Sequence, residues 1–278
     1  MKIRSMKRST RTNLITYLGV IIAFVATVIL RDSGGLSRSL TGQLVPICCY
    51  MSMAVSLNLT VGILGELSLG HAGFMSVGAF SGVIAAMSLQ SAIPSDALRL
   101  AVAMIVGAAV AAVAGVVIGT PVLRLRGDYL AIVTLAFGEI IKELVNCLLV
   151  GWDSRGLHVA LNLTGDKSIA DLGLETEGIA IIKGAQGATS TATISTFTAG
   201  FVLVLITLFV VLNLKDSRAG RAIMALRDNS IAAESVGLNL TKYKLMAFVT
   251  SAALAGAAGA LYGLNFSSAP WQVLPVRC

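Results

Sequence analysis

Seven times in 278 residues the chain runs apolar for about 18 to 23 residues, at 13–30, 44–61, 71–90, 97–119, 129–151, 194–214 and 245–265. A helix needs about 20 such residues to cross the hydrocarbon of a bilayer. In lipid a chain must satisfy its own backbone polar groups, which leaves helices or closed barrels. The pattern therefore predicts an all-α fold, a polytopic membrane bundle of about seven spans, with 1–278 as one transmembrane domain. Only 13% of the residues are charged and 56% are hydrophobic, whereas soluble domains carry about 25% charged residues. The net charge of +7 does not mark a nucleic-acid binder, because the basic residues stand at the mouths of the apolar runs. The first run follows MKIRSMKRSTRT, is long for a signal peptide and has no A-x-A-like cleavage site before Arg31, so it reads as a retained span. Cys48, Cys49 and Cys147 fall within apolar runs and Cys278 is the last residue, a distribution that suggests neither disulfides nor a metal site.

Charge then orients the spans. With the N-terminus and its Lys2, Arg4, Lys7, Arg8 and Arg11 on the cytoplasmic side, alternation puts the 120–128 and 215–244 connections there too, and these three regions hold 13 of the 21 basic residues. The longest opposite connection, 152–193, is net acidic and rich in Gly, Ser and Thr. Its length predicts a partly structured or functional extracytoplasmic loop, the plainer alternative being a solvated one.

Three segments depart from plain apolar helix. In 58–80, NLTVGILGELSLGHAGFMSVGAF, glycines crowd around Glu66, Ser68 and His71. Such a run interrupts helical apolarity as discontinuous transporter helices do, which makes Gly65, Glu66, Ser68, Gly70 and His71 candidates for a translocation path. A tight cytoplasmic turn between spans two and three is the structural alternative. In span five, Thr134 and Glu139 join these candidates. Glu139, Lys142 and Glu143 share one helical face, so Glu139 is expected either to face a polar cavity or to pair with Lys142. The third segment, 220–244, is too polar for lipid and reads as two short helices. The first runs through Arg221 to Arg227, the second ends at Gly237, and either Asp228 or Asn229 caps the second. In the last span, Ala252, Ala255, Gly256, Gly259 and Gly263 recur at helical spacing and permit a close helix crossing. No phosphate-binding loop, Cys/His metal spacing or nucleophile triad is present, so no catalytic residue, metal ligand or bound cofactor is assigned to this chain.

Three blocks, NLTVGILGELSLGHAGFMSVGAF, RLRGDYLAIVTLAFGEIIKEL and GRAIMALRDNSIAAESVGLNLTKYKLMAFVTSAALAGAAGALYG, closely resemble the permease subunits of bacterial branched-chain amino acid ABC importers of the LivM type. The resemblance implies a multi-pass protein of the bacterial inner membrane that moves branched-chain or other hydrophobic amino acids inward. Its implied partners are a second permease subunit, two cytoplasmic ATPase subunits that bind ATP and Mg²⁺, and an extracytoplasmic solute-binding protein. It also implies that Gly220, Arg221, Ala225, Arg227, Asp228, Ala232, Ala233, Glu234 and Gly237 belong to a coupling segment that docks on an ATPase. Family members continue past the position of Gly263 with further hydrophobic sequence, whereas this chain closes on SSAPWQVLPVRC, so it is expected to lack the family's C-terminal segment. Related permeases import urea or short amides. A stand-alone ion-coupled carrier using Glu66, Glu139 or Glu143 is the main alternative class, and it leaves the 220–244 segment without a purpose. A non-transporting membrane scaffold is the third.

Overall fold

The computed structural model describes residues 2–90, 92–123, 125, 127–153, 156–162, 179–183, 188–189, 193–266 and 268–269. Most of these lie in helices: α1 (Lys2–Asp32), α2 (Arg38–Asn58), α3 (His71–Ser88), α4 (Asp96–Val122), α5 (Asp128–Asn146), α6 (Phe197–Asp216), α7 (Arg218–Asp228), α8 (Ser230–Ser235) and α9 (Leu240–Gly263). Among the described residues, six helical stretches are long and apolar enough to cross a membrane: Asn13–Asp32, Arg38–Leu64, His71–Ser88, Asp96–Val122, Phe197–Asp216 and Leu240–Gly263. Several starts are fixed by side-chain caps that satisfy amides left over in the first turn. Ser37 accepts from Leu40 N, Thr196 from Ala199 N and Asn239 from Lys242 N.

The seventh predicted span, 129–151, is shorter as a helix. α5 ends at Asn146, and from Leu148 the chain is extended. A buried strand and the tail of a span have the same apolar composition, so hydropathy does not separate them. β1 (Leu148–Asp153) pairs antiparallel with β2 (Gly156–Leu161) and with β3 (Ile179–Lys183). β4 (Ala188–Thr189) and β5 (Ser268–Ala269) complete a sheet of order β2-β1-β3-β4-β5. The predicted 152–193 loop is thus partly structured, and the rest of it lies outside the described residues.

The centre of the bundle is α3, α4 and α9, which approach at backbone distance because their contact positions are small. A Cβ on Gly78 would lie 2.1 Å from the Gly256 carbonyl oxygen, and one on Gly259 would lie 1.9 Å from that of Met75. Ala103, Ala111, Ala252, Ala255 and Ala258 are fully buried beside them. The close crossing foreseen in the last span is therefore made with α3 and α4. α2 and α6 pack around this centre. α1 is peripheral, held by Phe24 stacked on Phe201 at 3.9 Å between centroids and by Asn13 Nδ2 donating to Asp216 Oδ2 at 2.9 Å. α5 lies along α3, with Leu130 packed near Phe74 and Val145 in the cluster that holds Met87.

Candidate functional site

The discontinuity predicted in 58–80 is a real break. α2 passes into a π-helical turn, Leu59–Leu64, which stops at Gly65 in the left-handed region at φ 80°. The Gly65 and Glu66 amides both bond the Thr60 carbonyl, the latter at 3.1 Å, and residues 65–70 then run without helix until α3 begins. π turns of this kind recur at functional positions because they re-aim side chains within an otherwise regular helix.

Four elements converge on the break. From α5, Thr134 Oγ1 accepts from Leu69 N at 3.2 Å, and the Thr134 carbonyl leaves no room for a Cβ on Gly70. From α9, Lys244 forms a buried ion pair with Glu66, their side chains 10% and 16% exposed. From α2, Ser56 Oγ donates to Met53 O at 2.7 Å and lies 2.9 Å from His71 Nε2, so the ring's Nε2–H donates to Ser56. From α7, Arg227 Nη1 donates to the Gly62 carbonyl at 2.7 Å, and the Arg227 side chain occupies the space where a Cβ on Gly65 would stand. Ser68 Oγ and His71 Nδ1 are buried without a partner among the described residues.

The 220–244 segment forms the predicted helix pair. α7 is capped by Ser217, and between α7 and α8 it is Asn229 that caps, accepting from Ile231 N and Ala232 N at 3.1 and 3.0 Å. Gly237 is left-handed at φ 84°, the usual conformation just past a helix end. One side of this pair is seated in the bundle: Ile223 packs with Leu59, Ile63 and Leu64 of the π turn. The other side is bare, with Ile231 76% and Val236 75% exposed.

The structure thus brings Gly65, Glu66, Ser68, Gly70, His71 and Thr134 together at one junction and adds Arg227 and Asp228 to it. Glu139 is elsewhere, on the outer side of α5, where it pairs with Lys142 at 3.0 Å. Of the nine coupling residues, Gly220 and Ala233 are buried against the chain itself, while Arg221, Ala225, Arg227, Asp228, Ala232, Glu234 and Gly237 are exposed. Gly220 sits where a Cβ would meet the Leu214 carbonyl at 2.1 Å. Sequence reasoning missed Lys244 and Gly62 as members of the junction. Lys244 was visible only as one more basic residue at the mouth of a span.

The family model described as "Branched-chain amino acid transport system / permease component" matches residues 39–276. Two curated relatives are each titled "High-affinity branched-chain amino acid transport system permease protein LivM". The one from Salmonella typhimurium (strain LT2) is 35% identical over 223 residues, and the one from Escherichia coli (strain K12) is 34% identical over 223 residues. Each alignment takes in 77% of this chain and 49% of the relative, so the chain spans about half the length of the curated relatives it matches. No solved structure matches.

Proposed function

We propose, from the premise that the chain belongs to the family of branched-chain amino acid transport system permease components, that it is the membrane-spanning subunit of an ABC importer carrying branched-chain amino acids into the cytoplasm. The ATP and Mg²⁺ chemistry lies on two partner ATPase subunits. A second permease subunit and an extracytoplasmic binding protein complete the assembly in the bacterial inner membrane. The N-terminus and α7–α8 face the cytoplasm, in keeping with the basic residues at those segments.

The observation that carries this reading is the α7–α8 pair, bare on one side and locked on the other to the broken helix through Arg227 and Gly62. A rigid-body push on the bare side reaches the break without an intervening loop. The same geometry counts against Glu66 and Glu139 as the ion sites of a stand-alone carrier, since Lys244 pairs with the first and Lys142 with the second, which leaves Glu143 alone of the three.

Co-purification with the ATPase tests the proposal. Ala232 is exposed on α8, and a bulky side chain there overpacks a docked groove at a cost of about 1–3 kcal/mol. An exposed charge such as Lys242 is worth about 0–1 kcal/mol. Ala232→Trp should release the ATPase while Lys242→Ala keeps it, with the fold of the permease unchanged in both. Equal recovery from Ala232→Trp and the parent would remove the proposal's support.

A further inference from the structure

Where α1 leans on the bundle it leaves a furrow. α2 and α6 touch closely, since a Cβ on Gly200 would lie 2.9 Å from that of Cys48, and they form its floor. α1 forms its side, held there by Phe24, which stacks on Phe197 at 5.1 Å and on Phe201 at 3.9 Å between centroids. The furrow has a volume of about 220 Å³, and its lining includes Gly19, Ala23 and Thr27 of α1, Leu44 and Cys48 of α2 and Val204 of α6. Gly19 leaves it open, because a Cβ there would meet nothing within 4 Å.

Water has no place in it. The Thr27 hydroxyl bonds the Ala23 carbonyl at 2.7 Å, which leaves the Cys48 thiol, a weak donor, as the remaining polar side chain. A water needs two to four polar partners, and an apolar void of this size stays dry and accepts apolar guests. A helix, about 10 Å across with its side chains, is too thick to enter. An acyl chain is not. From Gly19 to Thr27 the furrow runs about 12 Å along α1, close to the ~15 Å of hydrocarbon in one leaflet. Its α2 and α6 lining lies in the halves of those spans that begin at Arg38 and Phe197, the end of the bundle at which α1 finishes. There Arg31 stands one turn beyond Thr27 on the same stripe of α1. It is exposed, and among the described residues no carboxylate pairs with it, the neighbouring Asp32 included.

We infer that this furrow holds one acyl chain of a membrane phospholipid whose phosphate is bound by Arg31. A long basic side chain at the end of a span carries its head to the interface, where phosphates lie. A guanidinium grips phosphate oxygens with two parallel bonds. The lipid thereby fills the space between α1 and α2 and ties the first helix to the bundle. The inference does not depend on which solute the permease carries.

Photolabelling of the full-length chain in lipid vesicles tests this. The probe is phosphatidylglycerol with a diazirine midway along one acyl chain, present as a trace component. Adducts on residues 19–27 and 44–51 should be about tenfold or more frequent than on 105–117 of α4, a lipid-facing stretch that passing chains touch only in turn. A diacylglycerol with the same labelled chain lacks the phosphate and should mark the furrow severalfold less. Arg31→Gln should bring the phospholipid down to that level. Ala23→Phe, which fills the furrow, should reduce labelling of 44–51 to that of α4, whereas Ile29→Phe, on the outward side of α1, should not. Equal labelling of the furrow and α4 overturns the inference, and so does equal labelling by the two probes. Adducts that join two chains in place of lipid adducts would give the furrow to a second copy and overturn it as well. The parent pattern and the exposed Arg31→Gln change decide the matter even if Ala23→Phe misfolds.

Discussion

Arg227 on α7 donates from Nη1 to the carbonyl oxygen of Gly62 at 2.7 Å, joining a surface helix to a π turn 165 residues earlier in the chain. The aliphatic part of the same side chain covers Gly65, and Asp228 steadies the guanidinium at 3.4 Å. Arg227→Ala removes all three contacts at once. Transport should then fall while ATP hydrolysis and ATPase binding persist, because the docking surface is intact and only its attachment to the break is lost. Arg227→Lys should restore little, since an ammonium on a flexible stem does not reproduce the planar fork. Paired assays of uptake and hydrolysis in vesicles decide it, and parallel loss of both would place Arg227 in docking instead.

Two left-handed glycines make a controlled comparison. Gly65, at φ 80°, has Arg227 Cγ 2.5 Å from where a Cβ would stand, whereas Gly237, at φ 84°, has nothing within 4 Å. Alanine at either position carries the left-handed penalty of about 1–2 kcal/mol. Only Gly65→Ala also displaces the arginine. Its thermal midpoint in detergent should drop further than that of Gly237→Ala, and equal midpoints would mean that the arginine is not seated on the glycine.

Glu66 and Lys244 are charged and nearly buried together. Removing one partner of such a pair leaves an uncompensated charge and costs about 3–5 kcal/mol, whereas replacing both with apolar groups is often nearly neutral. Lys244→Met should be severely destabilised, and Lys244→Met combined with Glu66→Leu should recover most of the loss. A double-mutant cycle on unfolding in detergent measures the coupling. Additive losses would show that the two charges act independently.

At the crossing of α3 and α9 the limiting atoms are backbone, which cannot swing aside. A methyl on Gly259 would stand 1.9 Å from the Met75 carbonyl oxygen, while one on Gly19 of α1 would meet nothing within 4 Å. Gly259→Ala should cost at least the about 1–3 kcal/mol of ordinary overpacking. Gly19→Ala should be silent. Size-exclusion profiles after mild heating distinguish the two, and matched profiles would refute the crossing.

What the sequence disclosed and what it hid follow a physical line. Span positions were legible because lipid imposes one requirement, apolarity over a fixed length, on every membrane helix. The helix pair at 220–244 was legible because capping and left-handed glycine are local, and Asn229 and Gly237 do what their residue types do best. The Glu139–Lys142 pair, one of the two readings of span five, was legible for the same reason, its partners being one turn apart. The Glu66–Lys244 pair and the Arg227–Gly62 bond join positions 178 and 165 residues apart, and nothing local marks either partner. The switch from α5 to β1 near Cys147 escaped because apolarity alone does not distinguish a helix end from a buried strand.

The loose attachment of α1 has a consequence for how the molecule is put together. None of residues 13–32 is fully buried, Phe24 stacks on Phe197 and Phe201, Asn13 bonds Asp216, and the family match starts at residue 39, beyond the helix end. The buried core of the protein is therefore built from α2 onward, and α1 leans against its outside.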